Sequence, residues 1–323
     1  MMRWSRLFLC FIFIIIISSK VSASQVKIGV LPIVDALPFY VAEQNGLFKT
    51  LPKPVTLITF RSAIERDAAF QTKKIDAYVG DLISAALLRS RGFPAKAVSI
   101  ILGKQPDEGL FAILSPPSSS IRTIRDLKGK HVAISSNTII EYVLDGLLKS
   151  HGMSPKKVKK QEIKSIPIRF QMLMSGKIDA AVLPDPLASL ARFKGAHWIA
   201  DDSHTNISQT VLIWNDQFIK THALFLRGFY RAYNKAVKII NQSHEKVRPL
   251  LVEKCRLPKP IARTFKFSDF PFASAPQKEI ANSVLRWLRE KNLLMNPVKA
   301  GDLIVTKEFL KQLNELTGEG SGS

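Results

Sequence analysis

The sequence predicts an α/β protein with two lobes, each built on a mostly parallel sheet flanked by helices. Short β-branched runs alternate with helical patterns along the chain, which is typical of parallel sheets. The tetrapeptide KIDA also occurs at 74–77 and again at 177–180, which is 103 residues later (177 − 74). Each copy follows an amphipathic run and an earlier strand-then-helix unit, and precedes an apolar run, an aspartate and a further helical pattern. The chain therefore contains one βαβα unit twice.

The individual elements follow from the positions of the apolar residues and of the glycines. Strands are predicted at 26–31, 55–60, 77–80, 97–102, 132–135, 180–183 and 198–200. Helices are predicted at 36–45, 62–73, 82–90, 139–150, 168–175 and 187–193. Gly46 and Gly152 end two of these helices, because glycine is favoured just after a helix. The last third contains four longer helical patterns at 224–240, 245–255, 278–291 and 306–316.

Two further apolar runs, 109–115 and 210–216, belong to neither copy of the repeat. They bracket the second copy and are predicted to be the strands that connect the two lobes. Lobe 1 would then comprise residues 24–114 plus 211–323, with lobe 2, residues 115–210, inserted between them.

The first 23 residues have the three parts of a secretory signal: Arg3 and Arg6, the apolar run 7–17, and Val21-Ser22-Ala23. An apolar run of 11 residues (7–17) is too short to cross a bilayer, which takes roughly 20. We therefore expect cleavage after Ala23 and a periplasmic location.

Composition excludes several classes of protein. The formal charge is +21, or +18 (21 − 3) without the three basic residues of the predicted signal. The basic residues are scattered, and export argues against nucleic acid, so the basic segment 155–164 is interpreted as a solvated face. The six histidines have no ligand spacing, and Cys255 is the one cysteine of the mature chain. No metal, cofactor or internal disulfide is predicted, and the protein is expected to be a monomer.

Four segments follow the predicted strands of the repeat: LPIVDALPF at 31–39, GDLIS at 80–84, SSNTIIEY at 135–142 and LPDPL at 183–187. Ligands bind beyond the carboxyl ends of strands in open parallel sheets. All four segments would point into one cleft if the lobes faced each other. Asp81 and Asp185 are also good helix caps, with Pro186 at a first helical position. Capping alone leaves unexplained why both lobes have equivalent caps.

These segments, together with RDLKGKHV at 125–132 and IPIRFQML at 166–173, resemble periplasmic substrate-binding proteins of ABC importers. The similar group binds aliphatic sulfonates, taurine, nitrate or thiamine-pyrimidine precursors. The resemblance implies the type II periplasmic-binding-protein fold with two hinge strands, closure around a ligand, and delivery to a membrane permease and its ATPase. It places the binding residues at Asp35, Ala36, Leu37, Pro38, Gly80, Asp81, Leu82, Ser135, Ser136, Asn137, Thr138, Asp185, Pro186 and Trp214. Tyr40 and Tyr142 are candidates for a stacking face.

The ligand class is predicted from the carboxylates of the proposed cleft. Asp35, Asp81 and Asp185 oppose an anion, whereas an amino-heteroaromatic compound would donate N–H bonds to them. We therefore favour a thiamine-pyrimidine-like or other heterocycle over a sulfonate or taurine.

An enzyme is the first rival, because this fold also hosts lyases. Export argues against cytosolic biosynthesis, and a single mature cysteine excludes the cysteine- and histidine-rich motif of a pyrimidine synthase. An extracytoplasmic sensor domain is the second rival. We expect a binding protein without enzymatic activity.

Overall fold

A computed structural model describes residues 25–105, 108, 111–203, 205 and 207–315. The predicted signal peptide and the first two residues of the predicted connecting strand 109–115, Gly109 and Leu110, lie outside these residues. The described chain forms two five-stranded sheets, ordered β2-β1-β3-β10-β4 and β7-β6-β8-β5-β9. The strands are β1 (Val26–Val30), β2 (Val55–Thr59), β3 (Ala77–Asp81), β4 (Ala95–Leu102), β5 (Phe111–Ser115), β6 (His131–Ile134), β7 (Lys159–Glu162), β8 (Ala180–Pro184), β9 (His197–Asp201) and β10 (Thr210–Asn215).

The two sheets have the same topology, as the repeated KIDA unit predicts. In the first sheet β1 pairs in parallel with β2 and β3, while β10 is antiparallel to β3 and β4. In the second sheet β6 pairs in parallel with β7 and β8, while β5 is antiparallel to β8 and β9. Four strands of each sheet therefore run one way and one runs the other. The predicted α/β, two-lobed fold is confirmed.

Helices flank both sheets. They are α1 (Leu37–Gln44), α2 (Ala63–Gln71), α3 (Leu82–Ser90), α4 (Ile139–Ser150), α5 (Ile166–Met174), α6 (Leu187–Phe193), α7 (Asp216–Thr221), α8 (Ala223–Gln242), α9 (His244–Glu253), α10 (Lys259–Thr264), α11 (Lys278–Glu290), α12 (Ala300–Leu303) and α13 (Lys307–Glu315). We call the first sheet with α1–α3 and α7–α13 the first lobe, and the second sheet with α4–α6 the second lobe. Gly46 and Gly152 follow α1 and α4 with φ of 65° and 72°, the left-handed conformation that favours glycine.

Strand β7 corrects the interpretation of the basic segment 155–164. Lys159–Glu162 pairs in parallel with β6, so this part of the segment is an edge strand of the second sheet. The residues of β7 are exposed or half-buried. Because neither face of this edge strand is buried, its sequence lacks the apolar alternation from which a strand is predicted.

The connecting segments also differ from the prediction. Strand β5 pairs with strands of the second sheet and β10 with strands of the first, so each strand belongs to one lobe. The chain passes from the first sheet to the second between β4 and β5 and returns between β9 and β10. The predicted strands 109–115 and 210–216 are thus the first strands after each crossing.

The two lobes also contact each other at the sides of the molecule. Helix α4 of the second lobe packs against α11 of the first, where the Tyr142 ring meets Trp287 edge-on at 5.3 Å. The Trp287 indole donates a hydrogen bond to Asp145 Oδ2 at 3.0 Å. Lys291 of the segment after α11 forms an ion pair with Glu141 of α4. Apolar residues of both lobes therefore share one buried cluster on this side.

Candidate functional site

A small cavity lies between the lobes at the carboxyl ends of the parallel strands. The first lobe lines it with Leu31, Ile33, Asp35, Ala63, Arg66, Gly80, Asp81 and Thr210. The second lobe lines it with Phe111, Ser135, Thr138, Ile139, Ile140, Lys164, Ile166, Arg169 and Pro184. Its volume is about 30 Å³, which is room for about one or two water molecules. The position agrees with the rule that ligands bind at this edge of open α/β sheets.

The lobes meet at the rim of this cavity. Leu31 and Ile33 of the first lobe form a buried apolar cluster with Ile166 of the second. The Val34 amide donates to the Asp185 carbonyl at 3.4 Å, and the Ile166 amide donates to the Arg61 carbonyl at 3.5 Å. Both hydrogen bonds are long, so the apolar contact contributes more than they do. A ligand larger than a few atoms does not fit the cavity in this arrangement of the lobes.

Four buried polar atoms of the cavity-lining side chains have no hydrogen-bond partner among the described residues. They are Asp35 Oδ1, Ser135 Oγ, Arg169 Nη2 and Thr210 Oγ1. More than nine in ten buried polar groups in proteins have a partner, and each exception costs about 1–3 kcal/mol. Two of the four atoms come from each lobe. The cavity is therefore equipped for a polar molecule that contacts both lobes.

The first lobe contributes two carboxyl groups to the cavity. Burial raises the pKa of Asp35 to about 7, which Arg66 opposes and Asp81 reinforces. At neutral pH the Asp35 carboxyl is therefore close to half ionised and able to accept or donate a hydrogen bond. Burial also raises the pKa of Asp81, whose Oδ1 accepts from the Ser84 amide at 2.8 Å and so caps α3. Asp81 both caps a helix and lines the cavity.

Each lobe also contributes one buried arginine. Arg66 of α2 donates through Nε and Nη2 to Asp67 Oδ1 at 2.9 and 2.7 Å, and through Nη1 to the Val79 carbonyl at 2.9 Å. Arg169 of α5 donates through Nε to the Val182 carbonyl at 2.8 Å and through Nη1 to the Ile163 carbonyl at 2.7 Å. Burial lowers the pKa of Arg169 to about 10, so the guanidinium remains protonated at neutral pH.

Five of the predicted site residues line the cavity: Asp35, Gly80, Asp81, Ser135 and Thr138. The Thr138 hydroxyl donates to the Ser135 carbonyl at 2.7 Å and accepts from the Ile140 amide at the start of α4, so it is also a cap. A side chain at Gly80 would collide with the Tyr78 ring at 2.7 Å, which explains the glycine. The structure therefore brings together predicted residues from three of the four segments.

Other predicted site residues lie beside the cavity without lining it. Ser136 and Asn137 donate their amides to Glu162 and Glu141, both at 2.8 Å. Asp185 Oδ1 accepts from the Ser189 amide at 2.9 Å at the start of α6, so its described role is that of a cap. The remaining residues of this group are buried near the starts of their helices: Ala36, Leu37, Pro38, Leu82 and Pro186.

The three predicted aromatic residues lie in packed regions away from the cavity lining. Tyr40 is buried in the core of the first lobe. Trp214 of β10 is fully buried there and donates to the Tyr230 hydroxyl at 3.2 Å. Tyr142 packs against Trp287 between α4 and α11. Tyr40 and Tyr142, the candidates for a stacking face, are thus absent from the described cavity lining.

Outside the four predicted segments, sequence reasoning missed the two arginines, Ala63, Phe111, Lys164, Ile166 and Thr210. The arginines were detectable, because Arg66 precedes Lys74 by eight residues and Arg169 precedes Lys177 by eight. They occupy the same position of the repeat, on helices that the sequence already predicts. Within the described residues, no group of three or more His, Cys, Asp or Glu side chains is arranged to hold a metal ion. No described helix is both long and apolar enough to cross a membrane.

The chain belongs to the NMT1/THI5-like family, whose family model matches residues 34–246. This match begins after β1 and covers the rest of the first copy of the repeat, the whole second copy and the start of the C-terminal helices. The chain has no match among curated proteins.

Several solved structures have the same fold. The alkanesulfonate-binding protein SsuA from Xanthomonas axonopodis pv. citri, bound to MOPS, is 19% identical with a TM-score of 0.73, over 84% of this chain and 94% of that chain. The periplasmic aliphatic sulphonate-binding protein SsuA from Escherichia coli is 18% identical with a TM-score of 0.74, over 88% and 99%. A DszB mutant in complex with biphenyl-2-sulfinic acid is 17% identical with a TM-score of 0.63, over 90% and 98%. At identities of 17–19%, these structures show that the fold is shared and nothing more.

Proposed function

We propose that this member of the NMT1/THI5-like family is the substrate-binding component of an ABC importer. It would capture a small polar ligand between its lobes in the periplasm and deliver it to a membrane permease and its ATPase. The observation that carries the proposal is a set of four buried polar atoms, two from each lobe, that have no partner among the described residues and belong to side chains lining one cavity. A ligand that bonds to both sets holds the lobes together.

Solved relatives of the fold support this proposal. Two of them are named as sulfonate-binding proteins, and one of these was solved with MOPS bound. The carboxyl groups of Asp35 and Asp81 favour a ligand with N–H donors, such as an amino-heterocycle or an aminoalkane acid. A thiamine-pyrimidine-like compound remains the preferred ligand on this argument, with taurine next.

Calorimetry of the mature protein against thiamine-pyrimidine compounds, taurine and alkanesulfonates tests binding. We expect one saturable site without conversion of the ligand. Small-angle X-ray scattering should show a smaller radius of gyration at saturation, because the lobes must part to admit a ligand and close around it. An unchanged radius of gyration with a bound ligand would contradict closure, and chemical conversion of a tightly bound ligand would contradict the receptor function.

An enzyme of the same fold is the alternative that one observation favours. Asp35 has a pKa of about 7, with one oxygen free in the cavity. A carboxyl group with this pKa suits general acid–base catalysis near neutral pH. Incubation of the protein with each compound that binds, followed by mass spectrometry of the ligand, separates the two functions. Recovery of the ligand unchanged supports the receptor.

A further inference from the structure

The two buried arginines occupy equivalent positions of the internal repeat. They are 103 residues apart (169 − 66), which is the spacing of the two KIDA copies. Each guanidinium donates to the carbonyl 13 residues later, that of Val79 or Val182, on the strand β3 or its equivalent β8. Both residues are at most 1% exposed. The repeat has therefore placed one guanidinium on each side of the cleft.

The partners of the two guanidinium groups differ. Arg66 is neutralised by the next residue, Asp67, and it also faces Asp81 and Asp35 across the first lobe. The position equivalent to Asp67 in the second lobe is Phe170 (67 + 103), so no carboxylate follows Arg169 directly. The aspartate that corresponds to Asp81 is Asp185, one residue later in the repeat, and it caps α6 without lining the cavity.

Arg169 is consequently a buried cation that forms no ion pair among the described residues, and the carboxylate of Glu162 acts on it only as a nearby charge. Its Nε and Nη1 groups donate to neutral carbonyls, and its Nη2 group has no partner. Leaving a buried charge unpaired is strongly unfavourable, whereas a matched anion would compensate it. The other polar groups that the second lobe presents to the cavity are the Ser135 and Thr138 side chains, the first turn of α4 and the Lys164 side chain at the rim. None of the lining residues from this lobe carries a carboxylate.

We propose that Arg169 is the specificity-determining residue of the cleft and binds an acidic group of the ligand, a sulfonate, phosphate or carboxylate, against the second lobe. This proposal rests on the proposed function and specifies the ligand further. The acidic group would accept from Arg169 Nη2 and the Ser135 hydroxyl, while N–H donors of the ligand face Asp35 and Asp81. The ligand is therefore an amino compound with an acid group, in place of a neutral heterocycle.

The test compares ligand pairs that differ in the acid group alone. Suitable pairs are taurine with ethanolamine, and 4-amino-5-hydroxymethyl-2-methylpyrimidine phosphate with its free alcohol. Each compound is titrated by calorimetry into wild type, Arg169→Met, Arg169→Lys and Arg125→Met. Arg125 is an exposed arginine of the second lobe, so its variant matches the charge change of Arg169→Met away from the cavity.

We expect wild type to bind an acidic member at least about tenfold more tightly than its neutral partner. Arg169→Met should weaken that binding about 10- to 100-fold, and Arg125→Met should leave it unchanged. Arg169→Lys should lie between them, since lysine keeps the charge and loses the planar fork. The Tm of Arg169→Met should stay the same or rise, because an apolar side chain replaces a buried, unpaired ion. A structural arginine would give a lower Tm and unchanged affinity.

The possible failures are distinguishable. Binding of the neutral compounds as tightly as the acidic ones, or wild-type affinity in both Arg169 variants, would overturn the role of Arg169 and leave the receptor function standing. The absence of binding by any compound of the panel would count against both. If Arg169→Met fails to fold, Arg169→Lys decides the outcome.

Discussion

The two lobes share one topology but present opposite charges to the cleft between them. The first lobe lines the cavity with Asp35 and Asp81 and neutralises its arginine with Asp67. The second lobe lines it with Arg169 and Lys164. We call the side of the first lobe that carries Asp35 and Asp81 the acidic jaw, and the side of the second lobe that carries Arg169 and Lys164 the basic jaw. The two jaws have the same topology and differ at a few side-chain positions. We therefore expect the cleft to select a ligand with opposite charges or polarities at its two ends.

The acidic jaw is best examined through Asp35, for which we expect the largest effect. Because burial raises its pKa to about 7, the folded protein retains a proton between about pH 4 and pH 7 that the unfolded chain releases. Stability should therefore fall as the pH rises through this range, by as much as about 4 kcal/mol. Asp35→Asn should remove this part of the pH dependence, as measured by urea unfolding at several pH values. If the free energies of unfolding of wild type and Asp35→Asn depend on pH in the same way, the pKa of Asp35 is not raised in the folded protein.

The basic jaw can be converted towards the acidic one by Phe170→Asp, which places a carboxylate at the position equivalent to Asp67. An ion pair with Arg169 should compete with an acidic ligand and weaken its binding by about 1.5–3 kcal/mol, or roughly 10- to 100-fold. Phe170→Asn is the matched control, since it loses the same partly buried ring without adding charge. Equal affinities of these two variants for the acidic ligand would show that Arg169 does not respond to a neighbouring carboxylate.

The paired aspartates of the two jaws should behave differently when neutralised. Asp81 lines the cavity, whereas Asp185 caps α6 without lining it. Asparagine caps a helix about as well as aspartate, so both Asp→Asn variants should lose about 1 kcal/mol of stability or less. Asp81→Asn should weaken ligand binding about tenfold, because a carboxylate accepts N–H bonds better than an amide. A loss of affinity in Asp185→Asn of the same size would contradict this assignment.

The smallest effect is expected at the contact between the lobes. Lys291 of the first lobe pairs with Glu141 and lies 3.7 Å from Asp145 Oδ2, with its side chain 26% exposed. Lys291→Met should favour separated lobes by about 1 kcal/mol, weaken binding a few-fold and enlarge the ligand-free protein in X-ray scattering. Lys149→Met is the control, since Lys149 joins the same two helices through an exposed pair with Glu290. Equal effects of both substitutions would show that the partly buried pair does not hold the lobes.

The sequence predicted the fold better than the site. The alternation of strand and helix patterns, together with the repeated KIDA, predicted two sheets of the same kind. This was possible because the pattern of apolar residues that specifies each strand and helix is present in both copies of the repeat. Strand β7 was missed because Lys159–Glu162 is polar on both faces. Asp81, which was predicted from its position at the end of β3, lines the cavity between the lobes. Trp214 is buried within β10, since an aromatic residue in a strand serves core packing as well as ligand binding.

The arginines illustrate what pattern reading leaves out. Arg66 and Arg169 lie within amphipathic helices, where a single arginine is usually solvated. Their burial arises when α2 and α5 pack against β3 and β8, a tertiary contact that the sequence does not display. The thiamine-pyrimidine-like or other heterocycle was favoured from the carboxylates alone. Comparison of the two repeats position by position would have revealed both arginines and the loss of the carboxylate beside Arg169.

The central claim is that the cleft binds an acidic ligand with its acid group on the second lobe. A crystal structure of the protein with the tightest-binding acidic compound of the panel tests it most directly. We predict that the ligand lies between the lobes, with an acid oxygen at about 2.7–2.9 Å from Arg169 Nη2 and with its amino group facing Asp35 and Asp81. A ligand bound outside the cleft, or one bound with its acid group turned to the first lobe, would contradict the account.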